Sequence, residues 1–110
     1  MMDYKVSLTS PAEKDLIQIS DYIAIELGEP QTARKLIARI KKAVLSLYKM
    51  PYRHAEINIE LIGAAGIRYL IEGNYIIFYH IRKDDMSVRI LRVLYGKRDW
   101  QKLLWGIVPE

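Results

Sequence analysis

Two neighbouring stretches decide the fold: YIIFYHI at residues 75–81 and SVRILRVLY at residues 87–95. Both are dense in β-branched and aromatic residues, which fit a pleated, half-buried surface. The first is nearly all apolar, as expected for a central strand covered on one face and partly covered on the other. Lys83–Asp84–Asp85 makes the turn between them, and Gly96 breaks the second. Upstream, Gly66–Ile71 reads as another strand, joined through Glu72–Gly73–Asn74, a turn whose residues tolerate positive φ. Strands joined in succession by such short turns pair antiparallel.

Before Pro51 the apolar period is helical. Tyr4 to Thr9 alternates, with Tyr4, Val6 and Leu8 on one face of a first strand. A helix start follows: Ser10 is the expected N-cap, Pro11 the first helical residue and Glu13 the partner of a capping box. Ala12, Leu16, Ile19, Ile23 and Leu27 recur at three and four residues, forming one buried stripe. Gly28 ends the helix in the left-handed conformation and Pro30 starts a second one. The apolar face of that second helix is Ala33, Leu36, Ile37, Ile40, Ala43, Val44 and Leu47, and Met50–Pro51 stops it. Residues 52–63 read as a loop with a short strand at Glu56–Leu61, and Arg98–Leu104 as a last helical turn or two. The expected architecture is α+β, in the order β-α-α-β-β-β(-β). A helical hairpin packs on one face of a small, mainly antiparallel sheet, and one domain spans residues 1–110.

Composition narrows the function. With 51% hydrophobic residues, the chain can build its core without metal or disulfide support. The absence of cysteine excludes a disulfide scaffold, a thiol nucleophile and a thiolate zinc site. His54 and His80 lack ligand spacing, so neither a metal site nor a cofactor is expected. No run approaches a membrane span and the N-terminus lacks a secretory pattern, so a cytoplasmic protein is expected. The net charge of +4 is unevenly placed. No acid occurs between Pro30 and Ala55, where Arg34, Lys35, Arg39, Lys41, Lys42, Lys49 and Arg53 all lie. Such clustering suits a polyanionic partner, whether nucleic acid, a nucleic-acid machine or an acidic protein, or else a solvated helix face.

Taken in order, these strings resemble the RelE/ParE superfamily of toxins over residues 4–104. Tyr4–Val6–Leu8 leading into Thr9–Ser10–Pro11–Ala12–Glu13–Lys14–Asp15–Leu16 is similar to the family's first strand and helix start. Asp21–Tyr22–Ile23, Gly28 and Pro30 match its helical hairpin. The most specific part is Asn74–Ile81 followed by Arg89–Trp100, a YxIFY strand and then one ending in a Gly–Lys–Arg–Asp corner. The resemblance implies the toxin half of a bacterial type II toxin–antitoxin pair, held inactive by a cognate antitoxin that lays a helix or strand over apolar grooves. A hetero-oligomer with that antitoxin is implied, and no membrane partner.

The superfamily has two biochemical classes. RelE-like members cleave messenger RNA on the ribosome without a metal, using cationic side chains and a proton donor and acceptor. ParE-like members poison DNA gyrase and have no known nuclease activity. Ile76 stands where the RelE-like central strand carries an arginine, and Leu104 stands near the place of its C-terminal acid. The pattern therefore favours ParE-like gyrase inhibition, with the ribosome-dependent endoribonuclease as the alternative. A degenerate homologue acting only in antitoxin binding or operon regulation is a further alternative. In the nuclease case Arg68, Arg98 and Tyr75 are the candidate catalytic groups. Target or nucleic-acid contact is expected of Arg98, Lys97, Arg68, Arg39 and Lys42, and Trp105 is a candidate antitoxin anchor. For Arg89 and Arg92, on opposite faces of one strand, a structural ion pair with Asp84 or Asp85 is expected. His80 and the Tyr75/Tyr79 pair read as packing residues, the tyrosines with hydroxyls at the rim.

Overall fold

In the computed structural model, which describes residues 3–57 and 66–97, the apolar periods become four strands and two helices. Strand β1 is Lys5–Leu8, β2 Ile67–Glu72, β3 Tyr75–Arg82 and β4 Ser87–Tyr95. Helix α1 is Ser10–Asp21 and α2 is Pro30–Leu45. The sheet order is β1-β4-β3-β2. β2, β3 and β4 form the expected antiparallel meander. β1 lies parallel to β4, because the helical hairpin between them carries the chain across one face of the sheet.

Both helices lie on that face. Ala12 and Leu16 from the first, Ile23 just past its end, and Ala33, Leu36, Ile40 and Val44 from the second pack on Leu70, Ile77, Tyr79, Ile81, Val88, Ile90 and Val93. The other face holds a smaller cluster of Ile57, Ile67, Phe78, Leu91 and Leu94. Strict alternation along β4 fails at one point. Tyr79 pairs with Ile90 but Phe78 with Arg92, so Leu91 is an extra residue, and the helix-side positions run Val88, Ile90, Val93. Arg89 pairs with His80 and Arg92 with Phe78, so through this bulge the two arginines stand on one face of the sheet instead of the opposite faces expected.

Two helix termini differ from expectation. The α1 cap is Thr9, not Ser10: its N–H donates to the Ile90 carbonyl (3.0 Å), and its hydroxyl accepts from Ala12 N–H (3.3 Å). The same hydroxyl donates to the Ile90 carbonyl at 2.8 Å. Pairing with β4 thus holds Thr9 extended, which is the conformation an N-cap needs. At the other end α1 runs into a π-helical turn, Tyr22–Glu26, closed by Leu27 N–H to the Tyr22 carbonyl at 3.0 Å. This wider turn moves Leu27 off the buried stripe, leaving it 52% exposed. Gly28 (φ +67) and Gly73 (φ +60) take the left-handed conformations expected of them. Helix α2 tightens into a 3-10 turn at Ser46–Tyr48 before Met50 turns left-handed ahead of Pro51. Glu56 makes a single bridge to Arg68, Ile57 N–H donates to the Ile67 carbonyl at 2.9 Å, and residues 58–61 of the expected Glu56–Leu61 strand lie outside the described residues, as does the expected Arg98–Leu104 helix.

Candidate functional site

Beyond Leu8 the outer edge of β4 has no strand beside it among the described residues, and α1 takes over. Asp15, 5% exposed, lies at a stripe position between Ala12 and Leu16. Its carboxylate accepts the Val93 N–H at 2.9 Å and two guanidinium bonds from Arg92, at 2.7 and 2.8 Å. One side chain therefore caps the strand edge and neutralises an arginine in a fork-to-fork pair. The hydrogen bond to Asp15 holds the Arg92 guanidinium above its ordinary range against the opposing effect of burial. The expected ion pair on this strand exists, but its partner is Asp15 on the first helix rather than Asp84 or Asp85. Asp85 instead accepts from the Ser87 hydroxyl at 2.6 Å, which lowers its carboxyl pKa.

Next to this pair opens an apolar groove of about 680 Å³, lined on the helix side by Gln18, Ile19, Tyr22, Ile23 and Leu27. Tyr75, Val93 and Tyr95 line the sheet side. Tyr75 and Tyr95 meet edge-to-face at 5.6 Å. Burial, then the neighbouring Tyr95 and Tyr22, raises the Tyr75 pKa, so its phenol stays neutral at physiological pH. Tyr22 (57% exposed) and Leu27 form an apolar rim that water should not keep uncovered. The groove was not visible in the sequence, although Asp15 at an apolar stripe spacing was a signal for the buried pair beneath it.

The predicted cationic residues fall in separate places. Arg39 and Lys42 are exposed on α2, where Arg39 makes a loose pair with Glu72 at 3.8 Å. Lys97 is exposed past the end of β4. Arg68 is tied into the structure: it donates to the His54 carbonyl (2.6 Å) and the Tyr52 carbonyl (3.3 Å), approaches Glu56 at 3.8 Å and lies over the Tyr52 ring at 5.1 Å. Arg68 pairs with Tyr79 and Tyr75 with Glu72, so the two candidate catalytic groups stand four positions apart along β3, about 13 Å. Arg98 and Trp105 lie outside the described residues.

Tyr79 is fully buried, and its hydroxyl donates to the Pro51 carbonyl at 2.6 Å instead of reaching the rim. Burial pushes its pKa up to about 12, against the weaker pull of Arg68 and Arg53. His54 meets the Tyr79 ring edge-on at 6.3 Å, and burial and then Arg53 lower its pKa. His80 is half-buried opposite Ile67 and Arg89.

Residues 6–100 match the family described as ParE toxin of type II toxin–antitoxin system, parDE. The chain belongs to this family. No curated protein matches it. Among solved structures, this ParE-family chain is similar to one from the chromosomal ParDE system of P. aeruginosa (22% identity, TM-score 0.69, covering 86% of this chain and 97% of that one). It is similar also to one from the RelBE2 toxin–antitoxin complex of Mycobacterium tuberculosis (24% identity, TM-score 0.65, 86% and 99%). A mutant of the E. coli toxin RelE in the free state shares the fold at 12% identity, with a TM-score of 0.65 and 93% of each chain covered. These likenesses establish the α+β fold of RelE and ParE toxins for this ParE-family toxin. Among the described residues no helix is long and apolar enough to cross a membrane.

Proposed function

We propose that this toxin arrests growth in the cytoplasm by binding DNA gyrase, and that a cognate antitoxin silences it by filling the groove between α1 and the sheet. The observation that carries the first half is the match to the ParE family over residues 6–100. The use of Arg68 supports it. Two loop carbonyls, Glu56 and the Tyr52 ring already engage its guanidinium, and Tyr75 stands four residues along β3. A general acid or base must come within hydrogen-bond reach of the proton it moves, and these two groups do not share a reacting position. Target contact is assigned to Arg39, Lys42 and Lys97, exposed cations that act on a distant anionic partner without a pocket.

The antitoxin half rests on the groove. Its lining of Ile19, Ile23, Leu27 and three tyrosines offers apolar and aromatic area, the composition that anchors an apolar helix. The test is induction of the chain alone with pulse labelling of DNA and protein synthesis, beside a supercoiling assay with purified gyrase. DNA synthesis should fall first and supercoiling should be inhibited. Protein synthesis collapsing first, with gyrase untouched, would overturn the gyrase assignment in favour of RNA cleavage. Normal growth would mark a homologue kept only for antitoxin binding.

A further inference from the structure

Where the chain leaves α2, exposed rings and cations gather on a surface that shares no residue with the α1 groove. Tyr48 and Tyr52 are each 42% exposed, and Met50 between them is 66% exposed. The Lys49 ammonium lies 5.4 Å from the centre of the Tyr48 ring, and the Arg68 guanidinium 5.1 Å from that of Tyr52. Tyr4 links the two: its N–H donates to the Tyr48 carbonyl (2.8 Å), and its ring meets Tyr52 edge-on at 6.2 Å. On the α2 side the surface continues into a hollow of about 520 Å³, lined by Val6, Lys42, Leu45, Ser46 and Tyr48.

The backbone of this surface has its acceptors already engaged. Besides Tyr48, the Lys49 carbonyl accepts from the Arg53 guanidinium (2.7 Å) and Met50 from the Arg53 N–H (3.1 Å). The Pro51 carbonyl accepts from the Tyr79 hydroxyl (2.6 Å) and Tyr52 from Arg68 (3.3 Å). What remains on offer is aromatic faces and positive charge. The chain has no acid between Pro30 and Ala55. Two acids adjoin the surface, Asp3 next to Tyr4 in the chain and Glu56 at 3.8 Å from Arg68, against Lys42, Lys49, Arg53 and Arg68.

Charge alone suits any polyanion, but the exposed rings select among them. A base stacks on an aromatic side chain only where its own face is uncovered, as in a single strand and not within a duplex. An acidic peptide would pair with the cations and leave the rings unused. A ribose 2′-hydroxyl needs polar partners, and the carbonyls here are engaged, so the surface gives RNA no advantage over DNA. From this juxtaposition we infer that Tyr48 and Tyr52 form a stacking platform for single-stranded DNA, whose phosphates meet Lys42, Lys49 and Arg68. The choice of DNA rests on the gyrase reading above and deepens it, since the toxin then holds a strand of that enzyme's substrate as well as the enzyme.

The experiment is fluorescence anisotropy of a labelled oligothymidylate of about twelve nucleotides, titrated with the purified full chain at low salt and without gyrase. The strand should bind, bind more tightly than a duplex of the same length, and weaken as salt rises. Tyr48→Leu with Tyr52→Leu keeps the apolar area but removes the stacking faces, and should weaken binding about tenfold or more at unchanged Tm. Tyr48→Phe with Tyr52→Phe keeps the faces and should bind as the parent does. Lys49→Ala should lower the salt slope by about 0.7, the contribution of one phosphate contact on a single strand. No binding by the parent, equal affinity for duplex, or a folded leucine variant that binds as well as the parent overturns the inference. Polyglutamate that displaces the strand as readily as unlabelled oligothymidylate would reduce the surface to charge alone and overturn it too. Markedly tighter binding of oligouridylate would overturn the assignment to DNA. Because gyrase is absent from the titration, a chain that holds the strand yet leaves supercoiling untouched sinks the gyrase reading while the platform stands.

Discussion

Asp15 sits where the helical period calls for an apolar residue, and its burial is tolerable only because Arg92 and the Val93 N–H satisfy it completely. Removing one partner of a buried ion pair is costlier than never having built it, since the other charge stays desolvated. Asp15→Ala should therefore lower stability by about 3 kcal/mol in urea unfolding, and Arg92→Ala by a similar amount. The double substitution should cost well below the sum, because the two residues form one unit. Tyr79 offers a second test at this scale. Tyr79→Phe leaves the buried Pro51 carbonyl without its donor and should cost roughly 1–3 kcal/mol. Its raised pKa also has a sign. The folded state holds the phenol proton up to about pH 12 and the unfolded state only to about 10, so between them stability falls as pH rises. His54 works from the acid side. Its lowered pKa means the unfolded state takes up the proton first, so stability falls as pH drops below 6.5. Chemical denaturation followed across pH 5–7 should lose that slope in His54→Gln.

At the scale of elements, Met50 is the one described non-glycine residue between α2 and β2 with positive φ, at 51°, and it is 66% exposed. A left-handed methionine costs about 1 kcal/mol and here contributes no packing in return. Met50→Asn should raise stability by about 0.5–1 kcal/mol in thermal unfolding, since asparagine tolerates that conformation. The elements themselves were legible wherever one period held. Ser87–Tyr95 emerges with the bounds read from the sequence, and the apolar face of α2 is buried or half-buried throughout. Legibility failed where a non-local bond overrode a local rule. Thr9 displaces Ser10 as cap because β4 holds it, the π-helical turn expels Leu27 from its stripe, and the Leu91 bulge breaks the alternation that seemed to separate Arg89 from Arg92. Of the site, Arg39, Lys42 and Lys97 were readable as exposed cations, whereas the groove beside α1 arises only from packing.

At the scale of the whole molecule, the charges are sorted by surface. The exposed acids of α1, Glu13 and Asp21, share the hairpin seam with Arg34 and Lys41, while Lys35, Arg39 and Lys42 leave the rest of α2 a positive wall. A wall of exposed cations adds little to stability, because such charges are solvated and screened, but it governs how fast an anionic partner is found. Arg39→Glu combined with Lys42→Glu should leave Tm within about a degree or two of the parent, given the small contribution of surface pairs such as Arg39–Glu72. The same variant should lose most of its growth inhibition, and in vitro its association with gyrase should slow roughly tenfold at low salt. The difference between parent and variant should shrink as ionic strength rises and the Debye length falls below about 8 Å. An unchanged association rate at low salt would move target recognition off α2 and towards Lys97 at the far end of β4. In that event the basic helix would serve the antitoxin alone, and the charge reversal should then weaken antitoxin binding without touching toxicity.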